Sequence, residues 1–224
     1  MRKWHISRDI TEYLRFYQEI GVEYLHDVFP RPQDCLETIS ADIARCSACG
    51  LHRTRKKPVM GAGNPQADLM FVGEAPGHEE DRQGKPFVGA AGKLLTDIIL
   101  AMQFSRETVY IANVLKCRPP QNRNPREDEM EACLPFLFRM VDCIKPKVIC
   151  TLGAFPAQAL LKTGSPISRL RGKFWEFNGI KVMPTYHPAY LLRNPDAKKA
   201  VWEDMQKVME LFGKKAGHTK KSHA

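Results

Sequence analysis

The 224-residue chain carries 34 Lys and Arg against 25 Asp and Glu, a formal net charge of +9, with 43% hydrophobic and 26% charged residues. Those proportions belong to a globular protein with enough chain for a sizeable core. No apolar run approaches the length of a membrane span, which excludes a helical membrane protein, and residues 1–9 lack the apolar core of a signal peptide, so a cytoplasmic location is expected. The basic excess favours a polyanionic partner, nucleic acid first, although Lys214, Lys215, Lys220 and Lys221 in a Gly/His/Ser-rich tail supply part of it. Seven cysteines, an odd number without an export signal, argue against a disulfide framework.

In chain order, residues 1–34 read as a helical extension: Ile10, Tyr13, Leu14, Tyr17, Ile20 and Leu25 have helical spacing and end at the linker Phe29-Pro30-Arg31-Pro32. A domain is expected over 35–213 and a basic, unstructured tail over 214–224. An amphipathic segment, Leu36 to Ala44, leads into Cys46 and Cys49. The basic stretch 51–58 and the Gly/Pro/Asn-rich stretch 60–65 read as loop. Leu69 to Val72 then forms a short apolar run of the kind that makes a buried parallel strand. It breaks at Gly73-Glu74-Ala75-Pro76-Gly77, where glycine and proline stop the strand and let backbone approach a small ligand. A polar loop over 78–89 carries one large aromatic, Phe87. A helix over 90–102, a strand over 109–115 and a helix over 126–143 follow. A strand at 147–152 is ended by Gly153, and a helix spans 154–161. Asn178-Gly179 marks a hairpin whose second arm runs to Thr185 and Tyr186, directly before His187-Pro188. A last helix covers 197–212.

Alternation of strand and helix predicts an α/β protein: a three-layer α/β/α domain around a four-stranded, mostly parallel sheet. The carboxyl ends of those strands then bring Glu74, Asn113, Gly153 and His187 to one rim, where open α/β sheets bind their ligands. Each residue also has a plainer reading, as turn, cap or solvated charge. Among the cysteines, Cys46 and Cys49 stand as C-x2-C, while Cys117 and Cys133 are separated by 15 residues. Four thiolates can hold a tetrahedral zinc or an iron–sulfur cluster, and spacing also leaves open that only the first pair matters. Cys150 and Cys143 read as core residues, and Cys35 has no visible partner.

Five motifs in order carry a resemblance to a known family: Cys46-x2-Cys49, Gly73-Glu74-Ala75-Pro76-Gly77, Lys85-Pro86-Phe87-Val88-Gly89, Asn113 through Pro120, and His187-Pro188-Ala189-Tyr190-Leu191-Leu192-Arg193. From about Cys46 to the last helix, some three-quarters of the chain, the sequence resembles the family 4 uracil-DNA glycosylases of bacteria and archaea. The resemblance implies removal of uracil from single- or double-stranded DNA by hydrolysis of the N-glycosidic bond, within base excision repair. It also implies a [4Fe–4S] cluster on Cys46, Cys49, Cys117 and Cys133, with a structural role. Gly73, Glu74, Ala75, Phe87, Asn113 and His187 are the implied uracil site.

The resemblance, together with the chemistry of base removal, implies roles within that set. A base extruded from the stack must be stacked and read on its Watson–Crick edge. Phe87 is the expected stacking wall and Asn113 the reader, because an amide can both donate to a carbonyl and accept a ring N–H. His187 is expected to stabilise charge on departing uracil, a role worth roughly 3 kcal/mol for one good donor. Glu74 is expected to position water or counter an oxocarbenium-like sugar, with Ala75 beneath the base. Leu191, Leu192 and Arg193 resemble a loop that enters the minor groove. Lys116, Arg118, Arg123 and Arg171 are candidate phosphate contacts. No lysine in these motifs is placed for Schiff-base chemistry, so strand cleavage is not expected. A monomer is expected, and the sequence identifies no protein partner such as a sliding clamp. The competing readings are a glycosylase with another base preference and a non-catalytic, cluster-bearing nucleic-acid-binding module.

Overall fold

The structure, a computed structural model, describes residues 36–215. The expected N-terminal extension, Cys35 and all but the first residues of the basic tail lie outside those residues.

Four strands form the parallel centre: β2 (Leu69–Gly73), β3 (Tyr110–Asn113), β4 (Val148–Leu152) and β6 (Ile180–Thr185). The sheet has six strands rather than four, in the order β1-β3-β2-β4-β6-β5. The two additions are antiparallel edges. β1 (Ala62–Gly63), in a stretch expected to be loop, pairs with β3, and β5 (Trp175–Phe177) is the first arm of the hairpin. Asn178 and Gly179 both take positive φ at its turn, as an Asn-Gly connection requires.

β2 lies between β3 and β4 and is buried throughout, which is why its sequence reads as a continuous apolar run instead of an alternating one. Its side chains alternate between two cores. Leu69 and Phe71 join Leu95 and Ile99 of helix α3 (Ala90–Ala101) and Met205 and Met209 of helix α8 (Ala197–Leu211). Met70 and Val72 join Ile39 and Ile43 of α1 (Leu36–Arg45), Leu137 and Met140 of α4 (Glu127–Ile144) and Leu160 of α5 (Ala154–Leu161). The three layers follow from that alternation.

Helix α2 (His78–Gln83) occupies part of the expected loop. Glu80 accepts a hydrogen bond from the Gly77 amide at its start, and Gly84 ends it in a left-handed conformation. Strand β3 is shorter than expected, although the amides of Val114 and Leu115 still donate to the carbonyls of Gly73 and Glu74 just beyond it. Two short helices, α6 (Ile167–Leu170) and α7 (Pro188–Arg193), complete the domain. Among the described residues no helix is long and apolar enough to cross a membrane.

Asp204 of α8 ties the last strand to this frame. Its carboxylate is 1% exposed, accepts from Thr185 Oγ1 at 2.6 Å and takes a two-pronged pair from Arg171, at 2.7 and 3.1 Å. Removing one partner of such a pair leaves a buried, uncompensated charge. Arg171→Ala is therefore expected to destabilise the domain by about 3 kcal/mol in urea denaturation; a change within 0.5 kcal/mol, roughly the effect of an ordinary surface substitution, would contradict this reading.

Candidate active site

The parallel register sets Gly73 beside Asn113 at the carboxyl ends of β2 and β3. Asn113 is 2% exposed, and its Oδ1 is buried with no hydrogen-bond partner. A Cβ on Gly73 would fall 2.4 Å from that oxygen and 2.5 Å from the Phe87 ring, so only glycine lets the two close together here. The Phe87 ring in turn lies 5.6 Å from the His187 ring, tilted by 30°. Gly153, with φ +99°, sits against His187: a Cβ there would be 3.3 Å from the His187 Cβ. Gly73, Phe87, Asn113, Gly153 and His187 thus meet at one end of the sheet.

His187 begins α7, and its Nδ1 accepts from the Ala189 amide at 3.0 Å. That bond places the proton of the neutral ring on Nε2, leaving an N–H free to donate. Burial pushes the imidazole down from its ordinary 6.5 to about 4; Arg193 adds to the fall and Glu80 opposes it. Glu74 is half-buried at the turn after β2, and burial raises its carboxyl above the ordinary range. Ala75 packs with Leu51, Leu115, Cys117 and Cys133, so its side chain belongs to the cysteine-side cluster.

Phe87 holds a left-handed backbone, φ +52°, a conformation that costs a bulky residue about 1–3 kcal/mol and persists only when its surroundings enforce it. Two charged groups do so. The Glu80 carboxylate accepts from the amides of Val88 and Gly89, both at 2.9 Å. The Arg106 guanidinium donates to the carbonyls of Pro86 and Phe87, at 2.8 and 3.2 Å. Sequence reasoning missed both. The Gly77-x-x-Glu80 spacing was a legible capping signal, whereas nothing local marks Arg106, 19 residues beyond Phe87.

Several expectations need correction. Leu191 is 1% exposed and packs in the core, so it cannot enter DNA, while Leu192 is 48% exposed and Arg193 lies on the surface beside it. Helical geometry turns only one of the adjacent leucines outward. Lys116 is 1% exposed, its Nζ donating to the Asn113 carbonyl at 2.6 Å, and is no phosphate contact. Arg123 pairs with Glu129 and Arg171 with Asp204, so both guanidinia are engaged within the fold. Arg118 bonds Asn122 at 2.7 Å on the surface.

Cys46, Cys49, Cys117 and Cys133 line one small cleft, together with Ile43, Leu51, Arg55, Lys116 and Phe136. Cys117 accepts from Arg55 Nη1 and Cys133 from the Lys116 amide, each at 3.3 Å. Burial pushes the Cys133 thiol up to about 11, and raises Cys117 as well, against the pull of the neighbouring cations. Among the described residues no three His, Cys, Asp or Glu side chains are grouped closely enough to grip a single metal ion. Cys150 is fully buried in β4.

The site is thus the carboxyl rim of an α/β sheet on which a buried amide, an aromatic ring and an imidazole stand close together. The sequence profile of the uracil DNA glycosylase superfamily matches residues 60–206, and the chain belongs to that superfamily. Among its relatives, the type-4 uracil-DNA glycosylase of Saccharolobus solfataricus is 47% identical, over 81% of this chain and 88% of that protein. Type-4 enzymes of Archaeoglobus fulgidus and Thermotoga maritima are 45% and 44% identical, over 81% and 83% of this chain and 96% and 98% of their own lengths.

His187 supplies a test independent of turnover. NMR titration is expected to show its ring neutral from pH 8 down to 5 and charging only near 4. Because the folded value lies below the unfolded one, its contribution to stability is complete above about 6.5 and is lost as pH falls toward 4. A titration midpoint near 6.5 in the folded protein would contradict the buried, neutral assignment.

Proposed function

We propose that this chain removes uracil from DNA by hydrolysing its N-glycosidic bond, leaving an abasic site. The observation that carries this reading is the buried, unpartnered Oδ1 of Asn113 facing the Gly73–Phe87 contact. An unmet buried acceptor costs about 1–3 kcal/mol, a cost that a ligand N–H in the right place removes. Uracil offers N3–H to Oδ1 and O4 to the amide Nδ2. Cytosine offers an unprotonated N3 and an amino group at C4, mismatched at both points. Phe87 stacks on the flipped base, and Leu192 with Arg193 occupies the space it leaves in the duplex.

The bond between C1′ and N1 then breaks with its electron pair moving onto uracil. His187, neutral with Nε2–H as its donor, meets the charge growing on O2; a neutral donor is not already committed to a carboxylate. The Glu74 carboxylate faces the cationic sugar and orients the water. The water's hydroxyl joins C1′ and its proton accompanies uracil. Backbone amides of the Gly73–Ala75 turn are further donors to the base. No amine enters the sequence of steps, so the DNA strand stays intact.

The cysteine cleft supports a [4Fe–4S] cluster on Cys46, Cys49, Cys117 and Cys133. Four cysteines lining one cleft are the ligand set that iron–sulfur clusters take. Such a cluster would supply a cross-link between the chain after α1, the loop after β3 and α4, with no part in bond cleavage. The basic excess of the chain agrees with DNA, single- or double-stranded, as substrate.

Uracil release from single- and double-stranded oligonucleotides tests the reading. His187→Ala is expected to lose roughly 10²–10³-fold in turnover, and Glu74→Gln to move the acid limb of the pH–rate profile, which in the parent lies above the ordinary carboxylate range, down toward the His187 value of about 4. Release of hypoxanthine in preference to uracil, or release of no base above the His187→Ala control, would overturn it. Anaerobically purified protein is expected to be brown and to lose that colour on Cys133→Ala; a colourless, zinc-containing protein would remove the cluster from the account.

A further inference from the structure

Arg106 has no place in the chemistry above, yet its guanidinium is turned inward onto three acceptors. It donates to the carbonyls of Pro86 and Phe87, and to Thr96 Oγ1 at 3.2 Å. Thr96 Oγ1 in turn donates to the Gly92 carbonyl at 3.0 Å, which fixes the prop to the first turns of α3. Gly92 is itself required, because a Cβ there would sit 1.9 Å from the Phe87 carbonyl oxygen. The same loop is gripped from its amide side at Val88 and Gly89 by Glu80. Phe87 needs this hold, since its left-handed backbone is one that a bulky residue abandons when unconstrained. Its ring must also stay between Gly73 and His187 to present a fixed face.

We propose that Arg106 is the positioning residue for the base-stacking wall: by fixing the carbonyls of Pro86 and Phe87 it presents the Phe87 ring to the flipped base, and it acts on uracil only through that ring. This rests on the assignment of Phe87 as the stacking wall of a uracil site. A guanidinium suits the task because its planar fork reaches two carbonyls and a hydroxyl at once, whereas an ammonium is a point donor. The arrangement makes base affinity, rather than the charge-stabilising step at His187, the quantity that depends on Arg106.

The test is a double-mutant cycle on the full chain, reading the inhibition constant of free uracil and the kcat and KM for uracil-containing single-stranded DNA. Arg106→Met is expected to weaken free uracil roughly tenfold, within the range that loss of one aromatic stacking partner produces, and to raise KM more than it lowers kcat. Arg106→Lys is expected to recover part of that loss. In a Phe87→Ala background, Arg106→Met is expected to have almost no further effect, because residues acting as one unit do not add. Equal losses in both backgrounds, or unchanged uracil affinity despite a lowered melting temperature, would overturn the proposal by making Arg106 merely structural. If Arg106→Met does not fold, Arg106→Lys and Thr96→Val carry the same cycle. An unmodified chain that releases no uracil would refute the glycosylase assignment itself, whereas an active chain weakened by Phe87→Ala but not by Arg106→Met would refute only this inference.

Discussion

A buried amide oxygen without a partner is the constraint on which the site depends. Asn113 is held at the end of β3 by pairing with β2, and its Oδ1 is buried without a hydrogen-bond partner. Such an atom is tolerated only where surrounding structure over-determines it. Around it stand a glycine with no room for a side chain, an aromatic in a strained backbone and a histidine kept neutral by burial. Each departs from what isolated residues prefer, and they depart at the same end of the sheet. The proposed ligand is the group that satisfies all of them together.

The strain is offset by polar groups brought inside the fold. Glu80 and Arg106 grip opposite sides of the peptide units around Phe87. Asp204 and Arg171 anchor Thr185, two residues before His187, and the Arg171 guanidinium lies 5.3 Å over the Tyr186 ring between them. Lys116 ties the Asn113 carbonyl to the floor of the cysteine cleft, where its own amide meets Cys133. Lys116 therefore links Asn113 directly to the loop of the proposed cluster.

Much of the fold was legible because it is local. The apolar run of β2, the Asn178-Gly179 turn and the spacing of α3 and α8 each state their element directly. The placing of Asn113, Gly153 and His187 on one rim followed, because parallel topology brings the ends of successive strands together. β1 was missed: two residues in a Gly/Pro-rich stretch carry no periodicity, and only the neighbouring strand defines them. Leu191 and Leu192 could not be separated by sequence, since which leucine faces outward is set by how α7 seats on the core. The basic residues misled for a related reason. A charge on paper does not say whether its partner is a phosphate or a carboxylate inside the fold, and Arg171 and Arg123 have the latter. Arg106 was invisible because its acceptors, two carbonyls and a threonine hydroxyl, are distant in sequence.

The central claim is that Asn113 reads the base, and the side-chain amide of Asn113 reports on it directly. In 15N-labelled protein titrated with free uracil, the two amide proton resonances of Asn113 are expected to shift and saturate along with binding. An equal concentration of cytosine is expected to leave them in place. Uracil binding that leaves Asn113 unmoved, or cytosine shifting it equally, would contradict the account.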